Sequence, residues 1–295
     1  MKRLILFLVA LAIAGAAGLF ITAPKRLNAD ALAGFEPDVK AGEMVFLAAG
    51  CASCHSAPQA TGDARFLLTG GRAFPSDFGT FYAPNISPDP SEGIGKWSAL
   101  DLANAMRFGT SPRGQHYFPV FPYGTYSRAS LQDIVSLYAY MQTLPPDLTA
   151  NKPHEVGFPF SIRTSLGGWK MLFFSDDWAL KDAPTPTLER GRYLVEALGH
   201  CTECHTARNA LGGLKTSAWL GGAPNPTGKG TIPNITPAKL DWSDADLVNY
   251  FKTGFTPDFD TAGGLMVEVI ENLSGLPDSD LQAIVAYLRA IPAVE

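Results

Sequence analysis

Two five-residue stretches decide how this sequence is interpreted. They are Cys51-Ala52-Ser53-Cys54-His55 and Cys201-Thr202-Glu203-Cys204-His205. Both have the pattern Cys-x-x-Cys-His, which is typical of covalent attachment of a c-type haem. Together they use all four cysteines of the chain, whereas this composition predicts roughly 0.001 chance matches to the pattern. We therefore expect two covalently bound haem c groups, one at each stretch.

The residue types in the pattern match the chemistry of haem attachment. Two thiols that add across the vinyl groups of one haem must lie close together in the chain, and the histidine that follows can then reach the iron. The predicted attachment residues are Cys51, Cys54, Cys201 and Cys204. The predicted proximal iron ligands are His55 and His205. A thioredoxin-type redox pair, a four-cysteine zinc site and structural disulfides fit less well, because they leave the histidines or the spacing unexplained.

The second half of the sequence repeats the first around these motifs. A predicted helix precedes each motif, beginning near Gly42 and Gly191, and Trp97-Ser98 and Trp242-Ser243 precede another in each half. The last helix of each half has apolar residues on one face, namely Leu131, Ile134, Val135 and Tyr138, and Leu281, Ile284, Val285 and Leu288. Ser130 and Ser279 are the predicted N-caps of these last helices. The predicted fold is all-α, with two tandem class I cytochrome c-like domains and an N-terminal transmembrane helix.

The predicted domain boundaries follow from this repeat. They are an N-terminal membrane anchor or signal at 1–23, a first cytochrome c domain at 34–150, an interdomain strap at 151–186 and a second cytochrome c domain at 187–295. The strap is rich in proline, glycine and aromatic residues. We expect it to pack across the two domains, and a partner-binding surface is the alternative.

The chain begins with a short basic segment and an uncharged run over residues 4–22. As a helix this run would span about 28 Å, close to the ~30 Å hydrocarbon core of a membrane. A cleaved signal peptide is the alternative, although Ala29-Asp30-Ala31, which has the cleavage pattern, lies well past the run. We expect an uncleaved single-pass anchor, with the rest of the chain exported.

The repeat also serves to locate the sixth iron ligands. Met266 lies 20 residues beyond Asp246, in a glycine-rich loop, and is the predicted distal ligand of the second haem. The same count from Asp101 reaches Phe121, which cannot bind iron.

The distal side of the first haem must therefore differ, and three alternatives stay open. His116 is the nearest candidate ligand, a five-coordinate iron would be open to a small molecule, and Met106 could reach in from its helix. Pro84 and Pro233 are placed to offer backbone carbonyls to the proximal histidines. Trp97 and Trp242 are predicted pocket walls, and His200 is expected to be exposed near a haem edge.

Composition and charge restrict the partners. Apolar residues make up 46% and charged residues 17%, as in a globular chain, and the formal net charge is −5. An acidic balance argues against nucleic acid as a partner. It is compatible with a cationic protein partner and equally with ordinary surface balance.

With these motifs the chain resembles the dihaem or multihaem cytochrome c subunits of bacterial membrane-bound alcohol, gluconate and fructose dehydrogenases. The resemblance covers nearly everything from Gly42 onward. Besides the haem motifs it rests on Ala83-Pro84-Asn85-Ile86, Pro233-Asn234-Ile235-Thr236, the loop Tyr117-Phe118-Pro119-Val120-Phe121-Pro122-Tyr123 and Tyr287-Leu288. In such cytochromes this loop often carries a methionine ligand where this chain has Phe121. The family usually has three haems when it serves those enzymes, so for a chain with two motifs the resemblance implies a different dehydrogenase partner.

The resemblance implies single-electron transfer from a periplasmic dehydrogenase or other donor to the respiratory chain, with a quinone, a cytochrome or an oxidase as acceptor. It places the chain on the periplasmic face of the bacterial inner membrane. A non-catalytic electron-transfer subunit is the expectation, and no catalytic residue is predicted. The alternative is a peroxidase-like dihaem oxidoreductase in which the first haem is open, so the sequence leaves the question of enzyme activity undecided.

Overall fold

A computed structural model describes residues 1–225 and 230–295, which form a mostly helical fold. The helices are Lys2–Ile21 (α1), Val39–Ala48 (α2), Cys51–His55 (α3), Ala99–Phe108 (α4), Tyr123–Tyr126 (α5), Leu131–Met141 (α6), Ser165–Phe173 (α7), Pro186–Tyr193 (α8), Thr202–His205 (α9), Asp244–Thr253 (α10), Met266–Leu273 (α11) and Asp278–Ala290 (α12). A π-helical turn, Leu194–Leu198, extends α8. The strands are Ala73–Ser76 (β1), Gly79–Tyr82 (β2), Glu155–Val156 (β3), Ala223–Pro224 (β4) and Thr231–Ile232 (β5).

A close crossing of two helices organises each half of the chain, here residues 34–150 (the first half) and 187–295 (the second half). In the first half α2 crosses α6, and a Cβ atom added to Gly42 would lie 2.0 Å from the carbonyl oxygen of Ser136. In the second half α8 crosses α12, and a Cβ atom on Gly191 would lie 1.9 Å from the carbonyl oxygen of Ala283. Only glycine permits backbones to approach this closely, so the same packing constraint operates in both halves.

The ends of the middle helices are fixed by the same local interactions in both halves. Ser98 and Asp101 form a capping box at the start of α4, and Ser243 and Asp246 form one at the start of α10. Both helices end at a glycine in the left-handed region, which for α4 is Gly109 with φ 56°. These interactions determine where the following loops begin.

The predicted N-caps of the last helices have different outcomes. Ser130 caps α6, since its Oγ accepts a hydrogen bond of 3.0 Å from the backbone N–H of Asp133, and this prediction is confirmed. The prediction for Ser279 is wrong, because α12 begins at Asp278 after Pro277 and has no side-chain cap. Ser279 lies inside the first turn of α12, where its hydroxyl cannot take the capping position.

Short strands depart from the predicted all-α fold. β1 and β2 form an antiparallel hairpin in which Ser76 pairs with Gly79, β3 adds to the other edge of β2, and β4 pairs with β5. The strands are held by backbone pairing, and apolar periodicity does not register in runs of two to four residues. Strand β2 leads the chain to Pro84, and strand β5 leads it to Pro233.

Most buried apolar residues of the two halves form one continuous core. It contains Phe46 and Ile134 from the first half and Leu281 and Tyr287 from the second, each no more than 1% exposed. Phe81 and Phe118 form a smaller cluster with Leu166. The backbone N–H of Ser130 in the first half also donates a hydrogen bond of 3.0 Å to the hydroxyl of Tyr193 in the second half. Because the core is shared, the division into two tandem domains stays a prediction.

Residues 151–186, the connecting segment, contact both halves. Lys170 on α7 donates a hydrogen bond of 3.0 Å to the carbonyl oxygen of Gly109, and its ammonium lies 4.5 Å from the ring centroid of Tyr123. The neighbouring Trp169 donates from Nε1 to the carbonyl oxygen of Leu211 in the second half, at 2.8 Å. The segment is thus held by specific hydrogen bonds on both sides.

Helix α1 has no buried residue, and of the described helices it is the one long and apolar enough to cross a membrane. A signal sequence would meet the same criterion. The helix therefore agrees both with an uncleaved membrane anchor and with a cleaved signal peptide.

Lys170 provides a test of the connecting segment through pH. Burial lowers the pKa of Lys170 from 10.5 to about 8. Between these values the unfolded chain binds the proton that the folded chain has lost, so the free energy of unfolding should rise with pH across this window. Lys170→Met should remove this contribution, measured as the difference between wild type and variant in denaturant titrations at pH 7 to 10.5. A constant difference across the window would contradict burial of this ammonium.

Candidate haem-binding site

Each Cys-x-x-Cys-His motif lies on a short helix directly after a core helix. In the first half, α2 ends and the chain turns at Gly50, which adopts a left-handed conformation with φ 60°, before α3 presents Cys51, Cys54 and His55. One helical turn places the two thiols and the imidazole on the same segment, as the chemistry of attachment requires. In the second half, α9 and Cys201 just before it carry the same residue types.

The histidines of the two motifs make the same hydrogen bond. Nδ1 of His55 donates to the carbonyl oxygen of Pro84 at 2.8 Å, and Nδ1 of His205 donates to the carbonyl oxygen of Pro233 at 2.8 Å. A carbonyl oxygen can only accept, so Nδ1 carries the proton and Nε2 keeps the lone pair that binds a metal. Burial lowers the pKa of both imidazoles, which favours the neutral form that binds metal. The predicted contacts with Pro84 and Pro233 are confirmed.

A cavity of about 630 Å³ opens beside the first motif. Cys51, Cys54 and His55 lie on its wall, and Trp97 lines it as predicted. Much of the remaining wall is apolar, with side chains from α4, from α6 and from the loop before α5. Its size and lining are those of a site for a large, mostly apolar ligand.

The state of the cysteines distinguishes the alternatives. All four are unpaired, which leaves structural disulfides without support. Burial raises the pKa of Cys51 to about 12 and that of Cys54 to about 11, whereas a thioredoxin-type pair needs a lowered pKa. Among the described residues no group of three or more Cys, His, Asp or Glu could hold a metal ion by itself. A c-type haem, which brings its own four equatorial nitrogen ligands and one-electron redox chemistry, fits this donor set.

The predicted distal residues lie in different surroundings. Met266, half-buried, is the first residue of α11, and Met106, 3% exposed, lines the cavity from α4. His116 is buried and donates from Nε2 to the carbonyl oxygen of Thr22 at 2.9 Å. It is not among the residues that line the cavity. An iron-ligand role for His116 stays a prediction.

Two histidines at the cavity have more specific roles than the sequence indicated. His154 lines the cavity, and its Nδ1 accepts a hydrogen bond of 3.1 Å from the backbone N–H of Tyr82. His200, expected to be exposed, is half-buried and also lines the cavity. Neither has a local sequence signal, because both act through partners that are distant in the chain.

The two haem-attachment segments contact each other. His200, next to Cys201, donates from Nε2 to the carbonyl oxygen of Ala49 at 3.2 Å. The Tyr126 hydroxyl donates to the same oxygen at 2.9 Å. Ala49 lies two residues before Cys51, so the second motif adjoins the first directly.

Helix α11 of the second half adds further contacts with the first motif. Asn272 donates from Nδ2 to the hydroxyl of Ser53, inside the first motif, at 2.6 Å, and accepts at Oδ1 from Arg65 at 2.7 Å. Arg72 and Glu268 form an ion pair of 2.6 Å nearby. The helix that begins with Met266 is therefore fixed against the first attachment site.

Motifs, proximal histidines and cavity together define a c-type haem protein. Residues 39–145 match the family model for cytochrome c. A protein of Cereibacter sphaeroides described as "Diheme cytochrome c-type" is 54% identical over 283 residues, which are 96% of each chain. The fructose dehydrogenase cytochrome subunit of Gluconobacter japonicus is 39% identical over 87% of this chain and 53% of its own length. The gluconate 2-dehydrogenase cytochrome c subunit of Pantoea cypripedii is 36% identical over 86% of this chain and 60% of its own length.

The chain belongs to the c-type cytochromes and has covalently bound haem c as its cofactor. It is an electron-transfer protein. It spans about half the length of the dehydrogenase cytochrome subunits that it matches, so their partners and reactions belong to those proteins.

Asn272 tests the contact between the two attachment segments. Asn272→Ala removes one partner from both Ser53 and Arg65, and leaving such part-buried groups unsatisfied costs about 1–3 kcal/mol of unfolding free energy. Denaturant titration followed by circular dichroism measures this loss. Asn249→Ala, at an exposed position on α10, is the control and should change stability by less than about 0.5 kcal/mol. Equal stabilities of the two variants would contradict a stabilising contact.

Proposed function

We propose that this cytochrome carries two haem c groups and relays single electrons between them, from a dehydrogenase or another donor to the respiratory chain. The thioether links are at Cys51 and Cys54, and at Cys201 and Cys204. His55 and His205 are the proximal ligands. Met266 is the distal ligand of the second haem, where a thioether raises the reduction potential.

The observation that carries this proposal is the hydrogen bond between His200 and Ala49. It joins the residue before one attachment motif to the segment just before the other. Two haems attached at these segments would therefore be neighbours within one rigid core, as a relay requires. A chain that merely stored two independent haems would not need its attachment segments in contact.

The repeated geometry supports an assignment of two tandem class I cytochrome c-like domains, at 34–150 and 187–295. Both have a glycine at the helix crossing, a capping box on the middle helix and a histidine bonded to a proline carbonyl. Residues 151–186 connect them.

Donor and acceptor are proposed from the relatives. Cytochrome subunits of fructose, gluconate and alcohol dehydrogenases are among the proteins similar to this chain. A dehydrogenase of this broad kind is the proposed donor, and a quinone, a cytochrome or an oxidase is the proposed acceptor. Helix α1 would hold the protein at the periplasmic face of the inner membrane as a single-pass anchor, which suits delivery to membrane-bound acceptors.

Paired cysteine variants test the number and position of the haems. Cys51→Ala with Cys54→Ala should remove one haem mass from the chain, and Cys201→Ala with Cys204→Ala should remove the other. Denaturing mass spectrometry of protein matured in a host competent for haem attachment gives the result. A variant that keeps two covalent haem masses would refute the assignment.

A relay role is tested by electron counting. The wild-type protein should take up two electrons per chain in a reductive titration and pass them to membranes that contain a quinone and an oxidase. It should not accelerate the reduction of hydrogen peroxide by an artificial donor. Rapid peroxide turnover would favour the peroxidase-like alternative.

A further inference from the structure

The stretch between the middle helix and the distal loop has the same length and the same hydrogen bonds in both halves. In the first half the backbone N–H of Tyr117 donates to the carbonyl oxygen of Gly109 at 2.8 Å, and in the second half Ala262 donates to Gly254 at 2.8 Å. Tyr117 and Ala262 lie 145 residues apart in the sequence, and so do Gly109 and Gly254. The capping residues Ser98 and Ser243 have the same separation. The two halves can therefore be compared residue by residue in this stretch.

Further contacts inside the loop confirm this register. Ser111 donates from its backbone N–H to Gln115 at 2.9 Å, and Thr256 donates to Asp260 at 2.9 Å. A β-bridge closes each loop, between Thr110 and His116 in one half and between Phe255 and Thr261 in the other. All these pairs keep the offset of 145 residues, so no insertion separates the halves before the distal position.

In this register methionine and phenylalanine are exchanged between the two halves. The loop position is Phe121 in the first half and Met266 in the second. The position on the middle helix is Met106 in the first half and Phe251 in the second. Each half thus has one methionine and one phenylalanine at this pair of positions, in opposite order.

The structure places both members of the first pair on the haem cavity. Met106 lies in the last turn of α4, is 3% exposed, and lines the cavity together with Phe121. A phenylalanine can only fill space, whereas a thioether is a soft ligand for haem iron. At this pair of positions each half therefore retains one thioether that can bind iron.

The histidines near the cavity are hydrogen-bonded to other groups. His116 corresponds to Thr261, a loop-closing residue, and its Nε2 donates to the carbonyl oxygen of Thr22; its Nδ1 has no partner, but His116 is not among the residues that line the cavity. His200 lines the cavity, and its Nε2 donates to the carbonyl oxygen of Ala49, next to the attachment helix that carries His55. His154 uses the lone pair on Nδ1 to accept from Tyr82, so in the neutral ring Nε2 carries the proton and is no ligand.

We propose that Met106 is the sixth ligand of the first haem iron, supplied by helix α4, while Phe121 occupies the loop position that supplies the ligand in the second half. This inference rests on the proposed attachment of two haems. The first iron is then six-coordinate and closed to small molecules. The two irons have the same pair of axial residue types, with the distal methionine coming from different elements.

Spectroscopy of Met106→Leu tests the proposal. Both haems of the wild type should be low-spin in electron paramagnetic resonance, and the reduced protein should not bind carbon monoxide. In Met106→Leu one haem should become high-spin and bind one equivalent of carbon monoxide per chain. The control is Met44→Leu, at a half-buried methionine on α2 that is not among the residues lining the cavity, and its spectra should match the wild type. A high-spin haem in Met141→Leu, at the other methionine that lines the cavity, with Met106→Leu unchanged, would overturn the proposal.

Two further variants test the same ligand assignment if Met106→Leu folds poorly. Met106→His should retain two low-spin haems with a lower potential for one of them, because methionine ligation raises the potential. Met106→Phe combined with Phe121→Met rebuilds the first half on the pattern of the second, and it should recover two low-spin haems that exclude carbon monoxide.

Each preparation is first checked for two covalent haem masses, and a shortfall there would count against the proposed function alone. With both haems present, unchanged low-spin spectra in Met106→Leu would overturn Met106 as the ligand. Stoichiometric carbon monoxide binding by the wild type would also overturn it, in favour of an open first iron. Loss of one low-spin signal in His116→Ala, with Met106→Leu unchanged, would assign the ligand to His116.

Discussion

The structure depends on one repeated hydrogen bond, from Nδ1 of a proximal histidine to a proline carbonyl. A carbonyl cannot donate, so this bond fixes the tautomer of His55 and His205 and leaves Nε2 free for iron. The proline must therefore be held at a set distance from the attachment helix, and the short paired strands hold it there. Covalent attachment at the neighbouring cysteines would fix a haem on one side, and this bond would orient the imidazole that faces it.

The second constraint is that both attachment sites belong to one body. Glycine permits the crossing of the first and last helices in each half, and a shared core then joins the halves. The contacts of His200 with Ala49 and of Asn272 with Ser53 lie beside the motifs themselves. A rigid spacing between the two sites is what single-electron relay requires, whereas flexible tethering would vary the distance that the electron must cross.

The sequence predicts those features that depend on a local motif or on the repeat between the two halves. The proline contacts could be predicted because the two halves repeat each other around the motifs, whereas the four attachment cysteines stay a prediction from the motif chemistry. The strands could not be predicted, because a strand as short as Ala223–Pro224 has no detectable periodicity of apolar residues. The positions of His154 and His200 at the cavity could not be predicted either. Their hydrogen-bond partners, Tyr82 and Ala49, are distant in the sequence. Ser279 shows that capping spacing alone does not determine a helix start when a proline precedes it.

The central claim is that two irons are bound by Nε2 of His55 and Nε2 of His205. Diffraction from crystals of the matured protein at the iron absorption edge tests it most directly, because anomalous scattering locates each iron independently of the protein atoms. The account predicts two iron peaks per chain, each next to Nε2 of one of these histidines, with Nδ1 still bonded to its proline carbonyl. A single peak, or an iron bound by any other residue on its proximal side, would contradict it.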